Sequence, residues 1–176
     1  MALLFVAGWM GWMVGLSWLR HCTDHLSGWH AGILGWLAVA GLSAVVSVFW
    51  TFGLWLAMRV LRHARGKALP GRLGAMLAVA ALWVVVEWLR GWILGGFPWL
   101  TLSISQWQRP VFLQVASLTG AAGISFTLML FNAGLAFYFV GVWRNRRRTW
   151  WKRLSWEFYF ALAVLFMAVG YGLSQS

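Results

Sequence analysis

Unbroken apolar runs long enough to cross a bilayer constrain this chain more than any other feature. Four or five of them reach or exceed the roughly 18–20 residues that a spanning helix needs. In hydrocarbon every backbone N–H and C=O must find a partner within the protein, so such runs fold as helices. At 62% hydrophobic and 10% charged residues, the 176-residue chain has too little polar surface to cover a soluble core. The sequence therefore predicts an all-α integral membrane protein, a bundle of about five transmembrane helices in a single domain over residues 1–176.

The predicted spans are Ala2 to Leu19, about Ala31 to Met58, about Leu73 to Leu89, a stretch within Val111 to Trp143, and about Leu154 to Leu173. The second is longer than a bilayer requires and is expected to tilt or to begin in the interface. Pro70 and Gly71 are expected to separate a basic loop from the third span. Small and polar residues around Gln114 to Gly123 predict an interfacial or re-entrant start to the fourth. Gly11 and Gly15 form a GxxxG pattern in the first span, a helix-packing signal.

The net charge of +11 comes from where the cations sit. Eleven of the fourteen Lys and Arg residues fall in two short loops: Arg59, Arg62, Arg65, Lys67 and Arg72, then Arg144, Arg146, Arg147, Arg148, Lys152 and Arg153. Clustering between apolar spans is the positive-inside pattern, not a nucleic-acid footprint. It predicts a multi-pass protein with the N-terminus and both basic loops in the cytoplasm. Residues 20–30, residues 90–110 and the C-terminus are then outside. Many of the sixteen tryptophans stand near the proposed span ends, as an aromatic belt requires.

Few residues are equipped for chemistry. His21, Cys22, Asp24, His25 and His30 include zinc-capable side chains, with His21 and His25 four apart; the competing reading is a polar interfacial connector. No second ligand cluster accompanies them, so no metal or other cofactor is assigned. Asp24, Glu87 and Glu157 are the only acidic residues, too few for a carboxylate-rich ion site or a transporter's coupling pathway. Cys22 has histidines beside it, as a Cys/His nucleophile would, but the favoured reading is an inert small residue near the membrane surface, and no catalytic residue is assigned.

The most informative segment is Glu87-Trp88-Leu89-Arg90-Gly91-Trp92, followed by Gly95-Gly96-Phe97-Pro98-Trp99. Glu87 and Arg90 stand three residues apart on one helix face, where opposite charges can pair. Ionisable groups at the edge of hydrocarbon are costly, which points to a use for them. One reading is a structural ion pair that orients the connector; the other is a contact to a lipid head group or a partner domain. Gly95, Gly96 and Pro98 break the helix and present aromatics at the interface. The candidate lipid- or interface-binding residues are Glu87, Trp88, Arg90, Trp92, Phe97, Pro98 and Trp99.

This segment resembles a motif of the apolipoprotein N-acyltransferases of bacterial inner membranes, in which a Glu-aromatic-Leu-Arg-Gly-Trp helix end precedes Gly-Phe-Pro-Trp. Gly123, Ile124, Ser125, Phe126 and Asn132 are similar to that family's next helix, and Gly8 to Trp18 to its glycine-rich third span. The resemblance implies helices three to seven of eight, with phospholipid and an apolipoprotein as partners. It also implies a nitrilase-like domain whose Glu-Lys-Cys triad passes an acyl chain from phospholipid to the amino group of a diacylglyceryl-cysteine. No triad residue can be placed here: Cys22 lies in the wrong region, and Lys152 and Glu157 adjoin a basic loop. The chain is thus expected to bind lipid and lipoprotein and to be inactive alone, its catalytic domain being either encoded elsewhere or lost. The alternative is a non-catalytic lipid-binding scaffold.

Overall fold

The computed structural model describes residues 1–23, 29–93, 96, 98–144 and 155–175. Among them there is no strand. The elements run α1 (Ala2–Gly15), a 3-10 helix (Ser17–Thr23), α2 (Trp29–Ala64), α3 (Leu69–Arg90), a second 3-10 helix (Leu102–Gln106), α4 (Pro110–Leu113), α5 (Ala116–Arg144) and α6 (Trp156–Gln175). The chain divides into two compact units, Met1–Leu56 and Ala57–Ser176.

Four helices, α2, α3, α5 and α6, are long and apolar enough to cross a membrane. The first expected span is shorter than its apolar run. After the 14 residues of α1 the chain tightens into a 3-10 helix. At 1.5 Å per residue, α1 is about 21 Å long, below the roughly 30 Å of a bilayer core. In this unit the Trp9 indole donates to the Ala40 carbonyl at 3.0 Å, joining α1 to α2. Gly8 keeps the approach close, since a Cβ there would come within 3.0 Å of the Trp50 ring.

Pro70 does not separate the loop from the third span as expected; it lies in the first turn of α3. A proline fits there because the first-turn N–H groups have no intrahelical acceptor. At the same end, Arg72 pairs with Glu157 in the first turn of α6. Glu157 is only 3% exposed, and the positive end of its helix favours the carboxylate.

The second unit is built on small-residue packing. Met76, Val79 and Ala80 of α3 meet Leu130 and Ala133 of α5, Ala161 of α6 and Ala57 of α2. Membrane helices gain little from burying apolar surface in apolar lipid, so close backbone approach and dispersion contacts carry the association. A Cβ on Gly134 would come within 2.7 Å of the Ala161 Cβ. One on Gly172 would collide with the Val111 carbonyl, so α6 crosses α4 almost backbone to backbone. The fourth expected span is divided: α4 is a single turn, and α5 breaks at Gly120, whose φ of 66° is left-handed. The break comes within the stretch whose small and polar residues predicted an irregular start.

The Gly172 contact is testable. Overpacking a tight interior costs about 1–3 kcal/mol, so Gly172→Ala is expected to lower the detergent Tm by several degrees. Gly170→Ala, whose new methyl meets no atom within 4 Å, is expected to leave it unchanged. Equal Tm values for the two variants would contradict the backbone-to-backbone crossing.

Candidate functional site: the clamped loop and an adjoining groove

The sequence expected Glu87 and Arg90 to face one another, and the structure puts each to work on the loop that follows. The Arg90 Nη2 donates to the Trp99 carbonyl at 2.9 Å. The Glu87 Oε1 accepts from the Leu102 backbone N–H at 2.6 Å and from the Trp83 indole at 3.1 Å. The two charges also attract each other electrostatically. Arg90 is 6% exposed, so its side chain is held largely within the protein.

Between the two grips sits Leu100 with φ 53°, left-handed for a residue that carries a Cβ. Such a conformation costs about 1–2 kcal/mol and persists only where the surroundings enforce it. Here the enforcement is the charged hydrogen bond on each side. A third grip follows: the Ser103 N–H donates to the Ser125 Oγ of α5 at 3.1 Å, with both residues buried. The Thr101 and Ser103 hydroxyls are 2.8 Å apart and complete the network. Upstream, Gly96 has φ 80°, and a Cβ there would strike the Gly91 carbonyl, which makes it the glycine the turn requires.

The other proposed interface residues separate by role. Trp88, Trp92, Pro98 and Trp99 are exposed. The Trp88 and Trp92 rings lie 6.0 Å apart, giving an aromatic edge beside the clamp. Phe97 lies outside the described residues, as do Asp24 and His25 of the histidine-rich connector. Asn132 is exposed and donates to its own helix at Leu128. No metal-capable group of three or more ligands occurs among the described residues.

Sequence reasoning passed over what adjoins the clamp. A groove of about 560 Å³ runs among α4, α5 and α6, with apolar walls including Phe112, Leu128, Leu165 and Val169. Its polar lining, Gln106 and Arg109 among others, comes from the loop that the clamp positions. Arg109 is exposed, and among the described residues no carboxylate pairs with it. Its position among the few cations outside the two basic loops was the available signal. A smaller cleft of about 320 Å³ opens over the clamp itself, between Glu87, Trp88, Thr101 and Ser103.

An all-helical bundle with spanning helices, a clamped aromatic loop and an apolar groove defines a polytopic membrane domain. Residues 1–134 match the apolipoprotein N-acyltransferase N-terminal domain, and the chain belongs to that family. It is 34% identical to the apolipoprotein N-acyltransferase of Nitrosomonas europaea over 92% of this chain and 28% of that protein. To the Shewanella oneidensis protein of the same name it is 32% identical, over 72% of this chain and 23% of the other. The Pseudomonas aeruginosa protein is 36% identical over 58% and 20%, respectively. The chain thus spans about a quarter of the length of these relatives. No solved structure matches it. The family and the four apolar helices make it a multi-pass protein of the bacterial inner membrane.

If the clamp holds the loop, its two charged members are coupled. Glu87→Ala and Arg90→Ala are each expected to cost about 1.5–3 kcal/mol, the scale of a hydrogen bond to a charged group. The double variant should lose less than the sum, because the second grip acts on a loop the first has already released. Glu87→Gln, which keeps an acceptor oxygen, should lose less than Glu87→Ala. A double-mutant cycle on detergent Tm checks this, and strict additivity would contradict it.

Proposed function

We propose that the chain is the substrate-gathering membrane portion of an apolipoprotein N-acyltransferase, corresponding to the family's helices three to seven. In this reading the groove among α4, α5 and α6 takes an acyl chain of the phospholipid donor. Arg109 and Gln106 meet its phosphate at the loop end. The observation that carries the reading is that groove: an apolar channel whose polar lining comes from one clamped loop, which matches the amphipathic form of a phospholipid.

The exposed Trp88, Trp92 and Trp99 would settle that edge in the interface, beside the place where a lipoprotein's diacylglyceryl-cysteine would approach. With the basic loops on the cytoplasmic side, groove mouth and clamp face the periplasm. There a nitrilase-like domain would supply the transfer chemistry. The fixed loop would then serve to hold donor and acceptor lipids in register, since orientation alone can remove a large part of a bimolecular barrier.

A phosphatidylethanolamine carrying a photoreactive acyl chain tests the reading. Crosslinking in nanodiscs is expected to map to the α5 and α6 walls of the groove. Leu165→Trp, which fills the channel, should abolish most of it. Arg109→Ala should weaken retention about two- to fivefold, the scale of an exposed ion contact. Labelling unaffected by Leu165→Trp would overturn the groove as the acyl site.

A further inference from the structure

At the opposite end of α3 lies a second cleft, of about 600 Å³, between the end of α2 and the start of α3. Arg59 and His63 line it from successive turns of α2, and Lys67 from the turn beyond. The far wall includes Gly71, Gly74 and Ala78 of α3, spaced three and four apart so that they share one helix face. We propose that this cleft is a binding site for an anionic phospholipid of the leaflet that borders the basic loops. The headgroup phosphate would lie among Arg59, His63 and Lys67, with the first carbons of an acyl chain along the glycine-lined face of α3.

Charge decides the occupant. Two cationic side chains, Arg59 and Lys67, line the cleft with the His63 imidazole between them in sequence, and among the described residues no carboxylate does. The geometry is also specific. The Lys67 stem lies across Gly71, where a Cβ would come within 3.0 Å of the lysine's own Cβ, so the missing side chain admits the lysine. One helical turn on, a Cβ at Gly74 would meet no atom within 4 Å, which leaves open space beside the cations. Loop charge by itself calls for a diffuse attraction to acidic membranes; a cleft with a glycine floor calls for a bound lipid. The site shares no lining residue with the acyl groove, and Gly74 lies about 24 Å along α3 from Arg90 of the clamp at 1.5 Å per residue, so cleft and clamp approach opposite membrane surfaces.

Native mass spectrometry of the purified 176-residue protein, with phosphatidylglycerol and phosphatidylcholine as probes, tests the proposal. Wild type is expected to retain phosphatidylglycerol in preference to phosphatidylcholine. Arg59→Gln with Lys67→Gln should weaken phosphatidylglycerol retention about thirtyfold, as for two charges acting at close range. Gly74→Leu keeps every charge but fills the cleft, and should weaken it comparably with Tm unchanged. Arg62→Gln with Arg65→Gln removes two charges from the same loop outside the cleft, and should leave retention near wild type. Equal losses in the two charge variants would show diffuse electrostatics only and overturn the site. Wild-type retention in Gly74→Leu would overturn it independently, whatever the stability of the charge variants.

Discussion

The carboxylate of Glu87, accepting the Leu102 N–H at the end of an apolar helix, is the contact on which the arrangement of the site depends. A backbone donor in a turn beside hydrocarbon needs an acceptor, and a carboxylate there needs donors; each satisfies the other. Arg90 applies the same logic to a carbonyl. Together they hold Leu100 in a conformation it would not keep unaided, and they bring the next residues onto Ser125 of α5. The chain's two glutamates thus act at the two ends of α3: Glu157 ties its start to α6, and Glu87 ties its finish to the loop. Between them the packing depends on small residues and needs no polar help.

From the clamp the consequences run outward. A fixed loop sets where Gln106 and Arg109 stand, and these supply the polar lining of the groove. Exposed tryptophans at the same end mark a surface that suits the membrane interface. At the other end, the basic side chains of α2 and its following turn face a glycine-lined wall. The second unit therefore carries a groove beside the clamped loop and a cleft at the start of α3, with different chemistry at the two.

Much of this was legible in the residues, and the misses have physical causes. Spans show in sequence because a bilayer imposes length and apolarity on them directly, so α2, α3, α5 and α6 were each anticipated. The first span was overestimated because the apolar run continues past Gly15 while the backbone tightens into a 3-10 helix, which hydropathy does not register. Pro70 was assigned to the loop because proline punctuates chains, although the first helical turn accommodates it equally well. Glu87 and Arg90 stood out as charges where charges are costly. Their partners could not be read, because those partners are backbone atoms of a loop that folds back. Arg109 was passed over since its importance comes from α5 and α6 lying beside it, a tertiary fact without a local signature.

Hydrogen–deuterium exchange resolved at Leu102 and Ser103 tests the clamp most directly. Both amides belong to a loop outside the long helices, so without the side-chain acceptors they would exchange on the timescale of exposed loop positions. With Glu87 and Ser125 accepting from them, they are expected to be protected to a degree comparable with the last turn of α3. Protection at Leu102 should disappear in Glu87→Ala. Rapid exchange of both amides in the wild-type protein would contradict the account.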